Sequence, residues 1–288
     1  MKNIFLIILI SILPTLAHAA EKPKIVASFS IIGDMAHEIA GDNIELKTLV
    51  GANGDAHEYE PTPTDVKVIA SADLLLINGL KFEGWIERLI KSANYKGKVI
   101  VVSNGSKLIE NDPHAWQDLN NGKTYVENIK NALVEIDKSN ADKYQKNATA
   151  YNTKLTELDS WVKSEISKIS SEKRSVITTH DAFQYFAEAY GINFISALGI
   201  STSSQASAKD IAKLIEQIRN KKVTALFLEN ISDSRLIKQL EKDTGAHIGG
   251  TLYSDSLSAS DEPAASYIEM FKHNVQEFVG AMREKHEK

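Results

Sequence analysis

The sequence of 288 residues contains no cysteine. This absence excludes disulfides and removes thiolate from the possible metal ligands. A chain of about this size buries enough apolar surface to fold without disulfides. A bacterial lipid anchor is attached to a cysteine just after the signal segment. We therefore expect a mature protein without a lipid anchor.

Long apolar segments are also scarce, and the one that stands out lies at the start of the chain. Lys2 precedes an apolar run at residues 4–13, and Ala17 and Ala19 are small residues of the kind that a signal peptidase recognises. The run is too short to cross a bilayer as a helix. We predict a signal peptide over residues 1–19 and a periplasmic mature protein.

Positive charge is not concentrated anywhere in the sequence, and the formal net charge is −5. A mildly acidic chain without a basic stripe argues against nucleic acid as a partner. The chain also lacks the repeats and low-complexity tails that are typical of surface adhesins. These absences count against nucleic-acid binding and surface display. We expect the protein to be a monomer.

Apolar, β-rich runs alternate with helical patterns along the mature chain. This alternation predicts an α/β fold with parallel sheets and flanking helices. Four strands in each half indicate two similar lobes rather than one large sheet. The predicted strands are Ile25–Ser28, Leu46–Val50, Leu74–Ile77 and Val99–Val102 in the first half, and Val176–Thr178, Phe194–Ile195, Ala225–Glu229 and Ile248–Leu252 in the second.

Residues 140–169 contain neither glycine nor proline, and their apolar residues recur at spacings of three and four. That pattern predicts one continuous helix of roughly 45 Å. A coiled-coil dimer helix is the alternative, but the apolar stripe covers few heptads. The predicted division is an N-terminal lobe over 20–139, a rigid linking helix over 140–170 and a C-terminal lobe over 171–288.

Three histidines and one aspartate follow predicted strands. They are His57, His114, His180 and Asp255, and the carboxyl ends of parallel strands are where α/β proteins gather ligand-binding groups. Each alone is weak evidence, because a single polar side chain there can cap a helix or bond a loop. Together, three imidazoles and a carboxylate suit a divalent transition metal held between the lobes.

Three motifs carry a resemblance to a known family. They are His57-Glu-Tyr-Glu-Pro-Thr-Pro63, Asp112-Pro-His-Ala-Trp116 and Tyr253-Ser-Asp-Ser-Leu257. They resemble motifs of the zinc/manganese class of ABC-transporter substrate-binding proteins, and the likeness runs along the whole mature chain. The resemblance implies a non-enzymatic protein that carries Zn²⁺, or alternatively Mn²⁺, as transported ligand to a membrane permease. It also implies that the four residues above are the metal ligands.

Two departures bear on the metal. Members that prefer manganese often carry glutamate at the position of His180, and many dedicated zinc members carry a long acidic, histidine-rich loop or lack the aspartate. This chain has His180 and Asp255 but no such loop. Both metals therefore stay open, and three imidazoles place zinc ahead of manganese.

A secreted zinc-dependent hydrolase is the alternative function. His57-Glu58 begins an H-E-x-x-H pattern, but Pro61 occupies the place of the second histidine. Four protein ligands would also leave a metal without the open position that hydrolysis needs. Glu60 is interpreted as orienting a ligand histidine or capping its loop.

Other side chains near the motifs have open roles. Glu229 ends a predicted strand, and three roles are open for it: contact with a metal ligand, capping of a helix, or contact between the lobes. Tyr59 and Trp116 are expected either to shield the metal from water or to serve ordinary packing. The remaining histidines are interpreted as ordinary, and they are His18, His37, His247, His273 and His286.

Overall fold

The computed structural model describes residues 21–203, 207–221, 223 and 225–283. The predicted signal peptide, His18 and His286 lie outside these residues. Within them, eight strands form two four-stranded sheets in which every neighbouring pair is parallel. The prediction of an α/β fold with two similar lobes is confirmed.

The first sheet has the strand order β2-β1-β3-β4, and Ile25 of its inner strand aligns with Leu46 on one side and Leu74 on the other. Its inner strands are mostly apolar and are buried, apart from the half-buried Lys24, because helices cover both faces of the sheet. The strands are β1 (Lys24–Phe29), β2 (Glu45–Val50), β3 (Leu74–Ile77) and β4 (Lys98–Val101), and the helices around them are α1 (Ser30–Ala40), α2 (Pro63–Ala70) and α3 (Ile86–Ser92).

The second sheet repeats this order as β6-β5-β7-β8. A bulge between Leu226 and Phe227 brings Phe227 opposite Gly250, whose φ of 145° suits glycine. The strands are β5 (Ser175–Thr178), β6 (Asn193–Ser196), β7 (Ala225–Glu229) and β8 (Ile248–Leu252), and the helices around them are α6 (Gln184–Tyr190), α7 (Ala208–Lys221) and α8 (Arg235–Thr244).

The predicted linking helix is present as α5 (Ala141–Ser167), 27 residues and roughly 40 Å long. Its buried stripe includes Tyr151, Leu155 and Val162, and these belong to one continuous apolar core that extends through both lobes. A smaller core covers the other face of the second sheet. The exact lobe boundaries stay a prediction.

Two long helices have no counterpart in the sequence-based prediction. They are α4 (Leu119–Ile136) and α9 (Tyr267–Arg283), and both pack against α5. Gly122 of α4 faces Tyr267 so closely that a Cβ would lie 2.6 Å from the phenol oxygen. The Tyr267 hydroxyl in turn donates to the carbonyl of Trp116. This contact brings α9 of the second lobe against the segment that follows His114.

Among the residues that the structure describes, no helix is long and apolar enough to span a membrane.

The linking helix generates a stability prediction. Leu155→Ala should lower the free energy of unfolding by about 2–5 kcal/mol, because it leaves a cavity in a fully buried part of the shared core. Urea unfolding of metal-free protein, followed by circular dichroism, measures this. The exposed Glu157→Ala on the same helix should change it by no more than about 0.5 kcal/mol. Equal losses in both variants would contradict the packing of α5 described here.

Candidate metal centre

The structure brings the four predicted residues together. His57 follows β2, His114 follows β4, His180 follows β5 and Asp255 follows β8. Each offers one nitrogen or oxygen atom, and these four atoms lie within 4.8 Å of one another. Because both sheets present their carboxyl ends to the same space, residues nearly two hundred positions apart meet there.

Asp255 lies at the centre of the cluster. Its Oδ2 is 3.2 Å from His57 Nε2 and 3.1 Å from His180 Nε2, and its Oδ1 is 3.6 Å from His114 Nε2. The ring nitrogens Nε2 of His57 and His114 are 3.3 Å apart. All three imidazoles therefore present the same ring nitrogen to one point.

Side chains of Asp55 and Trp85 hold the backbone of the loop that carries His57. The Asp55 carboxylate accepts the backbone N–H of His57 at 2.8 Å, and Trp85 Nε1 donates to the carbonyl of Ala56 at 2.8 Å. Gly54 lies in a tight turn where a Cβ would come 2.7 Å from Val50. These contacts hold the backbone from which the His57 side chain projects.

His114 is oriented by a carboxylate two residues before it. Asp112 Oδ1 lies 2.7 Å from His114 Nδ1 and accepts the His114 backbone N–H at 2.9 Å. The Asn78 side chain donates to the carbonyl of Pro113 at 2.9 Å and holds the loop from behind. With Nδ1–H engaged by Asp112, Nε2 is free to bind a metal.

His180 has an equivalent partner in Glu229, at the end of β7. Glu229 Oε2 lies 2.6 Å from His180 Nδ1, and Oε1 accepts the His180 backbone N–H at 3.0 Å. Glu229 thus contacts a proposed ligand, which was one of its three open roles.

Ser254, next to Asp255, connects the ligand segments of the two lobes. Its hydroxyl donates to Glu229 at 2.8 Å. Its carbonyl accepts from Trp116 Nε1 at 2.9 Å and from Gln117 Nε2 at 2.7 Å, and both donors belong to the short 3-10 helix after His114. These hydrogen bonds join the segment after His114 to Asp255 and to the carboxylate that contacts His180.

Aromatic rings surround the imidazoles. Of the two that were expected there, Trp116 is present and Tyr59 is not. Trp116 is fully buried with its ring 5.3 Å from that of His114, as the shielding role requires. Tyr59 instead packs on Trp85 and donates its hydroxyl to Asp65. Phe82, which the sequence analysis did not single out, lies 4.7 Å from the His57 ring.

The electrostatics of the centre follow from buried opposite charges. Burial alone lowers the pKa of His114, but Asp255 and Asp112 outweigh it and raise that pKa. Burial is likewise outweighed at His180, where Glu229 and Asp255 raise the pKa well above its ordinary value. Burial raises the pKa of Asp255, yet His180 and His114 hold it well below its usual range. Before a metal binds, the carboxylates thus favour protons on these imidazoles.

Sequence reasoning missed Asp112 as a partner of an imidazole and left the role of Glu229 undecided. Glu60, expected to orient a histidine, is exposed, and Asp112 and Glu229 contact the rings instead. Asp112 stands two residues before His114, so its position beside a candidate ligand was a usable signal. Glu229 is 49 residues from His180, and only the pairing of β5 with β7 brings the two together.

Known proteins are similar to this chain in sequence and in fold. The chain is 36% identical over 273 residues to the manganese ABC transporter substrate-binding lipoprotein PsaA of Streptococcus pneumoniae, covering 90% of this chain and 88% of that protein. It is 35% identical over 288 residues to the iron ABC transporter substrate-binding lipoprotein MtsA of Streptococcus pyogenes, covering 95% and 93%. The periplasmic zinc binding protein TroA of Treponema pallidum superposes with a TM-score of 0.88 at 29% identity, covering 92% and 100%.

These names contradict the predicted absence of a lipid anchor. Both streptococcal relatives are lipoproteins, a class held at a membrane by covalently attached lipid. The prediction relied only on the lack of cysteine, and an absence from the sequence is too narrow a ground for the location of a protein. The prediction of a periplasmic protein free of any anchor is therefore wrong.

A family model matches nearly the entire described chain. It covers residues 25–281 and is described as zinc-uptake complex component A, periplasmic. The match includes both sheets, α5 and all four residues of the candidate centre. The chain belongs to this family of zinc-uptake complex component A proteins.

Proposed function

We propose that this protein captures a divalent transition metal at His57, His114, His180 and Asp255 and delivers it to the membrane permease of an ABC importer. The observation that carries the proposal is the convergence of four ligand atoms within 4.8 Å, contributed by both lobes. Such a centre forms only in the folded chain. Metal binding should therefore stabilise the native state by linkage.

The protein is not an enzyme, since its family and relatives are transport components. The site has the character of a carrier: His114, His180 and Asp255 are fully buried, and four protein ligands would fill the coordination shell of a tetrahedral ion. Glu58 and Glu60, the candidate general bases of the hydrolase alternative, are exposed. We also propose that the carrier acts as a monomer and binds no nucleic acid, in keeping with its acidic balance.

We propose zinc as the preferred metal, with manganese as the alternative. Affinity for nitrogen ligands rises from manganese to zinc, and three of the four ligands are imidazoles. Zinc also accepts four ligands in tetrahedral geometry without electronic cost. Manganese favours more oxygen ligands, which Asp255 supplies only in part.

Removal of one ligand tests the site. His114→Ala should weaken zinc binding more than about a hundredfold, because loss of a mere supporting partner already costs about 10–100-fold. Isothermal titration of metal-stripped protein gives affinity and stoichiometry, expected to be one ion per chain. His273→Ala is the matched control, since that imidazole bonds the carbonyl of Thr251 at 2.9 Å instead of joining the centre. Loss of binding in the control alone would refute the assignment.

The affinity should fall as the pH is lowered. The raised pKa values of His114 and His180 mean that protons compete with the metal from above the ordinary imidazole pKa of 6.5. Each proton released on binding makes affinity fall about tenfold per pH unit below the corresponding pKa. Titrations at several pH values, in buffers with different ionisation enthalpies, count the protons released. An affinity that does not change with pH would contradict the raised pKa values.

His180 should govern the choice of metal. His180→Glu replaces a nitrogen ligand by a carboxylate and should lower the ratio of zinc affinity to manganese affinity. Competitive titration of the two metals measures this ratio in both proteins. His37→Glu makes the same substitution at an exposed site on α1 and should leave the ratio unchanged. An equal or higher ratio in His180→Glu would mean that His180 is not a ligand.

A further inference from the structure

One ligand of the proposed centre lies at its solvent edge. The His57 side chain is 7% exposed, whereas the other three ligand side chains are 0% exposed. A cleft of about 520 Å³ opens over this edge, and its lining includes His57 and Phe82 of the first lobe and Ile200 and Ser201 of the second. An ion that moves between solvent and the centre therefore passes His57 between the two lobes.

Asp55, two residues before His57, contacts both sides of this passage. Its Oδ1 accepts the backbone N–H groups of His57 at 2.8 Å and of Glu58 at 3.4 Å. Its Oδ2 accepts the hydroxyl of Thr202, in the second lobe, at 2.6 Å. One carboxylate thus shapes the His57 loop and ties it to the opposite lobe.

The segment that carries Thr202 is attached in turn to the segment of His180. Leu198 N–H donates to the carbonyl of Thr179 at 2.8 Å, and Asp181 N–H donates to the carbonyl of Gly199 at 3.1 Å. The hydrogen bond between Asp55 and Thr202 therefore joins the loops of two proposed ligands from opposite lobes.

The hydrogen bond between Asp55 and Thr202 lies at the edge of the passage beside His57. A second cleft, of about 560 Å³, is lined by Asp55, Thr179 and Thr202. The bond thus bridges the lobes where clefts lie on either side. Other hydrogen bonds join this loop to the second lobe through residues that line neither cleft. Asn53 bonds Leu257, Asn230 and Glu262, and the carbonyl of Gly51 accepts from Ser256.

We propose that Asp55 and Thr202 form a latch that holds the lobes together beside His57 and sets the rate of metal release. Asp55 is a positioning residue, since it acts on the ligand through the backbone of the loop. A hydroxyl that donates to a carboxylate forms a stronger bond than one between neutral groups. Movement of the His57 loop away from the second lobe at this edge breaks that bond. The inference rests on the proposed metal-binding function.

The test is the rate of zinc release. Thr202→Val keeps the shape of the side chain and removes only the hydroxyl, so Asp55 still holds the His57 loop. Zinc-loaded protein mixed with excess chromophoric chelator should release its ion about tenfold faster than wild type, as expected for loss of a hydrogen bond to a charged group. Thr202→Ser, which keeps the hydroxyl, should restore slow release.

Two further variants separate the latch from general loosening of the fold. Thr153→Val removes a hydroxyl whose hydrogen bond goes to Thr149 within the exposed face of α5, and it should release zinc at the wild-type rate. Asp55→Ala should speed release, and adding Thr202→Val to it should have no further effect, since the bond is already lost. The melting temperature of each metal-free variant reports whether it remains folded.

Three results would overturn the latch. They are release from Thr202→Val within about twofold of wild type, equally fast release from Thr202→Ser, or an undiminished effect of Thr202→Val in the Asp55→Ala background. If wild-type protein binds neither zinc nor manganese, the proposed function itself fails. If it binds them but releases them at a rate indifferent to Thr202, the latch alone is refuted.

Discussion

The buried carboxylate of Asp255 is the constraint on which the rest of the centre depends. It has no exposure to water, and it contacts three imidazoles that come from three other loops. An ionised carboxylate in such a place is costly unless positive charge lies beside it. Either protons on the imidazoles or a divalent ion among them can supply that charge. The two lobes must meet for either arrangement to form.

The two sheets and the helices between them restrict the positions of the four side chains at the centre. Both sheets have the same strand order, so the carboxyl ends of their strands present comparable loops to the space between the lobes. The helix α5 shares one apolar core with both lobes, and α9 packs against it. Bending α5 would break backbone hydrogen bonds and expose that core. Structural changes at the centre are therefore expected in the ligand loops rather than in the relative orientation of the two lobes.

The sequence was sufficient for features with a local signature and insufficient for those that depend on distant pairing. Period and composition predicted the strands and α5, and the positions of His57, His114, His180 and Asp255 after strands predicted which residues converge. The helices α4 and α9 were missed. Their apolar stripes become meaningful only against α5, which they cover.

Contacts between distant side chains were equally hidden in the sequence. Tyr59 is two residues from His57, yet its hydroxyl donates to Asp65. The ring that packs against His57 is that of Phe82. Asp55 and Thr202 are 147 positions apart, and no periodic pattern connects them. Proximity along the chain was a poor guide wherever the backbone turned a side chain away from the centre.

The distribution of carboxylates accounts for both capture and release. Asp112 and Glu229 each contact the outer nitrogen of an imidazole, while Asp255 lies among the inner nitrogens. A divalent ion bound by neutral imidazoles offsets only two of these three negative charges. The surroundings therefore hold the ion more strongly than four ligands alone would, because charge on the partner of an imidazole makes its other nitrogen a better donor. An ion held this tightly would dissociate slowly unless the site changes. On the proposed assignment, protonation of the imidazoles or movement of the His57 loop away from the second lobe would release the ion, and the second route would keep the remaining three ligands in place.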